Sequence, residues 1–121
     1  MNFAFDSRDL MAIWLVGHPY LASTLSRAPY TALTSRIQQK VHLEPVTQRE
    51  RFPLLIQHAL KSAGCQQTII SDSGVEMLRQ ASQGIPRKAG LILKNALRLA
   101  VAKGLNHLPD DLLHEAIGVL Q

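Results

Sequence analysis

One arginine stands where it could do chemistry. Gly84-Ile85-Pro86-Arg87 opens a run, Lys88 to Arg98, whose apolar residues recur at helical spacing. Pro86 suits the first helical position, where a missing N–H costs nothing, and Gly84 suits the end of the helix before it. Arg87 is therefore expected in the first turn of a helix, where backbone N–H groups and the dipole favour an anion. A guanidinium placed there can fork onto a phosphate. Along the same helix Ala89, Ile92, Leu93, Ala96, Leu99 and Ala100 gather on one face. Arg87, Lys94 and Arg98 fall opposite, the last two each within about 20° of Arg87 at the helical repeat.

Other residues give less. His18, His42, His58, His107 and His114 are scattered, without the i, i+4 spacing of a helical metal pair. Asp110-Asp111 reads as the dipole-favoured start of a helix rather than an acid–base pair. The single cysteine, Cys65, excludes a disulfide within the chain and a zinc site built from cysteines, and reads as a small buried thiol.

The elements that must hold these residues change character along the chain. Met11-Ala12-Ile13-Trp14-Leu15-Val16 is an unbroken apolar run stopped by Gly17-His18-Pro19, the pattern of a strand buried on both faces. Short helices are predicted over 20–26 and 33–39, and Val41-His42-Leu43-Glu44-Pro45-Val46 alternates as a second strand. From Thr47 onward only helical patterns occur. Thr47 and Glu50 have capping-box spacing, and Leu55, Ile56, Ala59, Leu60 and Ala63 then repeat at helical intervals, with Pro53 predicting a kink or a later start. Ser71-Asp72-Ser73 caps a helix bearing Val75, Leu78 and Ala81. The helix from Pro86 ends near Lys103-Gly104, and a last one starts at Pro109. The expected fold is mainly α, with residues 1–46 and 47–121 as separate parts and the second a four-helix unit.

The 121 residues suffice for about one domain, and an apolar fraction of 46% makes a packed core feasible. A formal charge of +4 favours anionic partners without choosing among them. No apolar stretch approaches the roughly 20 residues of a membrane span. Asp6 and Asp9 sit where a signal peptide would carry its apolar run, so a cytoplasmic setting is expected.

Three motifs in order, Val16-Gly17-His18-Pro19, Ser35-Arg36-Ile37 and Gly84-Ile85-Pro86-Arg87, resemble the C-terminal half of an AAA+ ATPase. The likeness is to the branch holding general secretion pathway protein A and the transposon helper ATPases, and Asn2-Phe3-Ala4-Phe5-Asp6 adds to it. The resemblance implies that residues 1–46 are a two-strand remnant of the α/β core and 47–121 the helical lid. It implies that residues 11–16 are the sensor-1 strand, with His18 the polar residue nearest the γ-phosphate position. Arg36 matches the arginine finger that acts across a subunit interface, where such a group stabilises charge on the transferring phosphoryl. Arg87 matches sensor 2, which reaches from the lid to the nucleotide phosphates.

The sequence departs from that pattern in two places. It has no Gly-x-x-x-x-Gly-Lys-Ser/Thr phosphate loop, and no strand ending in paired acids precedes Met11. ATP and Mg²⁺ are thus expected only for a complete ATPase, and this chain alone is expected neither to hydrolyse ATP nor to hold it tightly. The strands over 11–16 and 41–46 lack the neighbour that separates them in the family. They are expected to pair with each other, with another copy or with a complementary AAA+ core, or to leave apolar edges that drive oligomer formation. A link to DNA or to a secretion complex would then be indirect. The alternative is a small basic nucleic-acid-binding module, with the helices around 71–83 and 86–103 as a helix-turn-helix pair.

Overall fold

Helical periodicity and strong stop signals dictate most of what the chain builds from residue 52 onward. The computed structural model describes residues 11–121. The segment Asn2–Asp6 and the polar turn at Asp6–Asp9 lie outside the described residues. The chain divides into two compact units, Met1–Leu43 and Glu44–Gln121.

The described part of the first unit holds α1 (Pro19–Leu25), a 3-10 turn (Ala28–Tyr30) and α2 (Thr31–Thr34), none with a buried residue. Thr34 ties them together, its hydroxyl lying 2.6 Å from the Leu25 carbonyl and 3.0 Å from that of Tyr30. The second helix is earlier and shorter than its predicted span of 33–39. The Arg36 and Ile37 N–H groups reach back only three residues, to the Leu33 and Thr34 carbonyls, and so close a tight turn.

The two predicted strands are not formed. Residues 11–16 and 41–46 run without regular structure. A strand exists through its ladder, and among the described residues neither run meets one: Trp14 is 85% exposed, Val16 86% and Leu43 89%, while Val46 alone packs half-buried against the core of the second unit. The β pairing among the described residues is a single parallel bridge, Ile70 to Leu108.

The second unit is helical: α3 (Phe52–Ser62), α4 (Asp72–Ser82), α5 (Pro86–Ala102) and α6 (Asp110–Leu120). Helix α5 packs on α6 and α4, and α3 on α4. The core contains Phe52, Ile56, Leu78, Leu108, Leu112 and Leu113. From α5 it takes Ala89, Ile92, Leu93, Ala96 and Ala100, five of the six residues that periodicity puts on its inner face; Leu99 is half-buried. The bridge strengthens the contact between loops, with the Leu108 N–H donating to the Ile69 carbonyl at 2.7 Å.

Helix starts differ in their chemistry. Ser71 caps α4, its hydroxyl accepting the Gly74 N–H at 3.0 Å. The capping box expected at Thr47 and Glu50 is not built: α3 begins at Phe52, after Arg51 and with no side-chain cap. Pro53 is accommodated in the first turn, so the helix starts late rather than kinking.

Candidate functional site

The turn between α4 and α5 shapes the surroundings of Arg87. Gln83 and Gly84 both have positive φ, 55° and 71°, which reverses the chain in two residues. The Gly84 N–H donates to the Arg79 carbonyl at 3.3 Å and the Ile85 N–H to the Ser82 carbonyl at 3.0 Å. The buried Ser82 hydroxyl sits 3.3 Å from the Gly84 nitrogen. Helix α5 then starts with Pro86 and has no side-chain cap. Its first α-helical bond runs from the Ala89 N–H to the Ile85 carbonyl. The amides of Arg87 and Lys88 precede that bond and are among the donors a helix leaves unpaired. Both side chains are exposed. Two cations and two amides thus crown a 17-residue helix, an arrangement suited to a phosphate.

Gly84 also anchors the chain that enters this unit. Its carbonyl accepts the Val46 N–H at 2.7 Å. A Cβ on Gly84 would lie 2.5 Å from the Val46 oxygen and 2.9 Å from the Thr47 nitrogen. Only glycine permits both this φ and this approach. One turn earlier, Arg79 donates to the Thr47 carbonyl at 2.9 Å. The entering segment is therefore held at two consecutive residues, by α4 and by the turn that launches Arg87.

Arg79 is itself fixed by a fork onto Glu76, with bonds of 2.8 and 2.6 Å. Gln80 adds a third donor at 3.0 Å, and Arg49 stands 3.5 Å from the same carboxylate. The Arg79 hydrogen bonds, opposed by desolvation and helped by Gln80 and Arg49, pull Glu76 from its ordinary 4.5 down to about 2. The i, i+3 spacing of Glu76 and Arg79 was visible in the sequence; the partnership with Thr47, far away in the chain, was not. A second polar cluster joins two helix starts: Ser73 and Ser71 donate to Asp110 at 2.6 and 2.9 Å. Those bonds, with the charge of His114 as a lesser cause, hold the Asp110 carboxyl below its usual range.

The other candidate residues lie in the first unit. His18 is exposed and precedes α1; its carbonyl accepts the Leu21 N–H at 2.8 Å, while its ring makes no cap. Arg36 is exposed in the turn after α2. Cys65 is half-buried just past α3, its Sγ 3.4 Å from the Gln67 carbonyl oxygen. On the exposed side of α5 the cations are interrupted by the apolar Leu91, Leu97 and Val101. Among the described residues no helix is long and apolar enough to cross a membrane.

Over 103 residues, 85% of the chain, the sequence is 32% identical to general secretion pathway protein A of Aeromonas hydrophila. The chain spans about 19% of that protein's length. The similarity supports a partial relationship to an AAA+ ATPase-like protein. No protein-family model matches the chain, and no solved structure matches it.

Proposed function

We propose that this chain is the nucleotide-sensing and lid portion of an AAA+ ATPase of the secretion type, active only when a complementary core supplies the phosphate loop and the magnesium-holding acids. The observation that carries this reading is the setting of Arg87: an exposed guanidinium beside unpaired amides, on a helix whose preceding glycine grips the segment entering the unit. ATP would supply the phosphoryl group and Mg²⁺ would neutralise its charge. Arg87 and the first-turn amides fit the phosphates, whereas the acids for the metal must come from the core.

In this reading Arg87 is sensor 2. A pull on its guanidinium is a pull on α5; the turn before α5 is joined through Gly84 to Val46, and α4 through Arg79 to Thr47. Nucleotide state would thereby be converted into the angle at which the lid is held, a hinge motion around a ligand. Arg36 would serve as the finger presented to a neighbouring subunit, and His18 would lie nearest the γ-phosphate. The exposed run 11–16 would gain its ladder from the core or from another copy.

The test is reconstitution. The full chain is mixed with the separately produced phosphate-loop half of the Aeromonas relative, and binding of a fluorescent ATP analogue is measured. Binding should require both halves. Arg87→Ala should weaken it about tenfold or more, the loss of charge-assisted bonds worth roughly 1.5–3 kcal/mol, while the melting temperature stays unchanged. No binding by the mixture, or an unaffected Arg87→Ala variant, would overturn the reading. Tight, steeply salt-dependent binding of duplex DNA by the chain alone would replace it with the helix-turn-helix alternative.

A further inference from the structure

Helix α3 buries only the N-terminal part of the face its sequence prepares, at Phe52 and Ile56. Ala59 and Ala63 belong to its apolar stripe, yet both are exposed and Leu60 is only half-buried. Together with Gly90, Leu97 and Val101 of α5 they line an open groove of about 560 Å³. Its α5 wall, residues 90–101, extends for about 17 Å at the helical rise, or three turns. Gly90 has no internal reason to be glycine. It lies inside a helix, where it costs about 1 kcal/mol relative to alanine, and a Cβ there would meet nothing within 4 Å. Small residues at 59, 63 and 90 leave room for another backbone to come close.

The charge around the groove has one sign. Lys94 and Arg98 stand at its lining, and α3 and α5 together carry Lys61, Arg87, Lys88, Lys94 and Arg98 without a carboxylate. The acids within the unit's helices are confined to α4 and α6, as Asp72, Glu76, Asp110, Asp111 and Glu115. An apolar floor with a cationic border complements an amphipathic helix edged by Glu or Asp. It does not suit nucleic acid, whose phosphates would find no partner on the floor. We infer that the α3–α5 groove seats an acidic amphipathic helix, about three turns long, of another polypeptide. This site is separate from Arg87's proposed contact with nucleotide and does not depend on it.

The probe is a stapled, fluorescein-labelled peptide of about four helical turns, with Leu at i, i+3 and i+7 and Glu on both flanks. A second peptide has Lys in place of each Glu. Anisotropy titrations against the full chain should show the Glu peptide binding about tenfold tighter than its Lys counterpart, since two exposed ion pairs become two repulsions. The double variant Lys94→Glu, Arg98→Glu should reverse that order. Gly90→Leu should block both peptides while circular dichroism shows an intact fold, so that lost binding is not lost structure. Equal binding of the two peptides, or no response to the charge reversal, would overturn the inference. So would duplex DNA displacing the Glu peptide, or sedimentation showing that a second copy fills the groove in a dimer that Gly90→Leu dissolves.

Discussion

Adding one methyl group at Gly84 should cost far more than adding it at Gly104, although the two backbones are nearly alike. Their φ angles are 71° and 69°, and each follows the end of a helix. A left-handed alanine costs roughly 1–2 kcal/mol at either place. At Gly104 the new carbon meets nothing within 4 Å, so the conformational cost is the whole effect. At Gly84 it would sit 2.5 Å from the Val46 oxygen and 2.6 Å from the Val46 carbonyl carbon. Both are backbone atoms, so no rotamer change relieves the clash. The entering segment must back away, losing the 2.7 Å bond from the Val46 N–H to the Gly84 carbonyl. That loss contributes about 1 kcal/mol, and the overpacking another 1–3 kcal/mol or so. The difference between the variants should be about 2–4 kcal/mol, or roughly 10–25 °C in melting temperature for a unit of this size. Thermal melts followed by far-ultraviolet circular dichroism on the full chain measure it directly. Equal melting temperatures for Gly84→Ala and Gly104→Ala would refute the argument that the glycine of the Gly-Ile-Pro-Arg motif is there to admit the entering segment.

Acid should loosen the Glu76–Arg79 fork. The folded-state value of about 2 lies below the ordinary 4.5, so the ionised pair stabilises the fold fully above pH 4.5 and ceases to do so as the pH falls toward 2. Melts across that range should show a steep acid limb that flattens in Glu76→Gln; parallel limbs would contradict the assignment. Ser71→Ala removes the α4 cap and one donor to Asp110, and should cost about 1 kcal/mol in urea titrations. Trp14, the one tryptophan, reports on the unpaired apolar run: its emission should shift to the blue when the complementary core is added or the chain is concentrated. Unchanged emission and sedimentation in both experiments would remove residues 11–16 from any interface.

The helical half was legible because each helix carries its own signals. The α5 stripe, the Pro86 start and the Ser71 cap are local facts, fixed by residues within a few positions of one another. Residues 11–16 misled for the opposite reason. Their apolar character is that of a strand, but a strand is a property of its neighbours, and none among the described residues pairs with it. The Thr47–Glu50 capping box also failed: α3 starts later, at Phe52, and the Thr47 carbonyl is instead bonded by Arg79, from a helix 32 positions onward. Of the site, Arg87 at a helix start was readable and its support was not. Nothing local to Gly84 announces Val46.

That support alters the meaning of the motif. Its arginine and glycine sit on opposite sides of Pro86, the glycine against the entering segment and the arginine, on the proposed reading, available to an anion. Pro86 fixes φ between them, and the Ala89–Ile85 bond locks the first turn behind it. On the proposed reading a displacement of Arg87 would reach Val46 through Pro86, Ile85 and Gly84. The two substitutions should separate these tasks when the core is present. Arg87→Ala should lower nucleotide affinity and leave stability alone. Gly84→Ala should lower stability and, below its melting point, leave the guanidinium in place while loosening the segment that the proposed reading has it move. A Gly84→Ala variant that binds nucleotide normally yet fails to hydrolyse it in the reconstituted ATPase would locate the coupling in the Val46–Gly84 contact. Normal hydrolysis by a folded Gly84→Ala variant would show that the lid is steered by some other route.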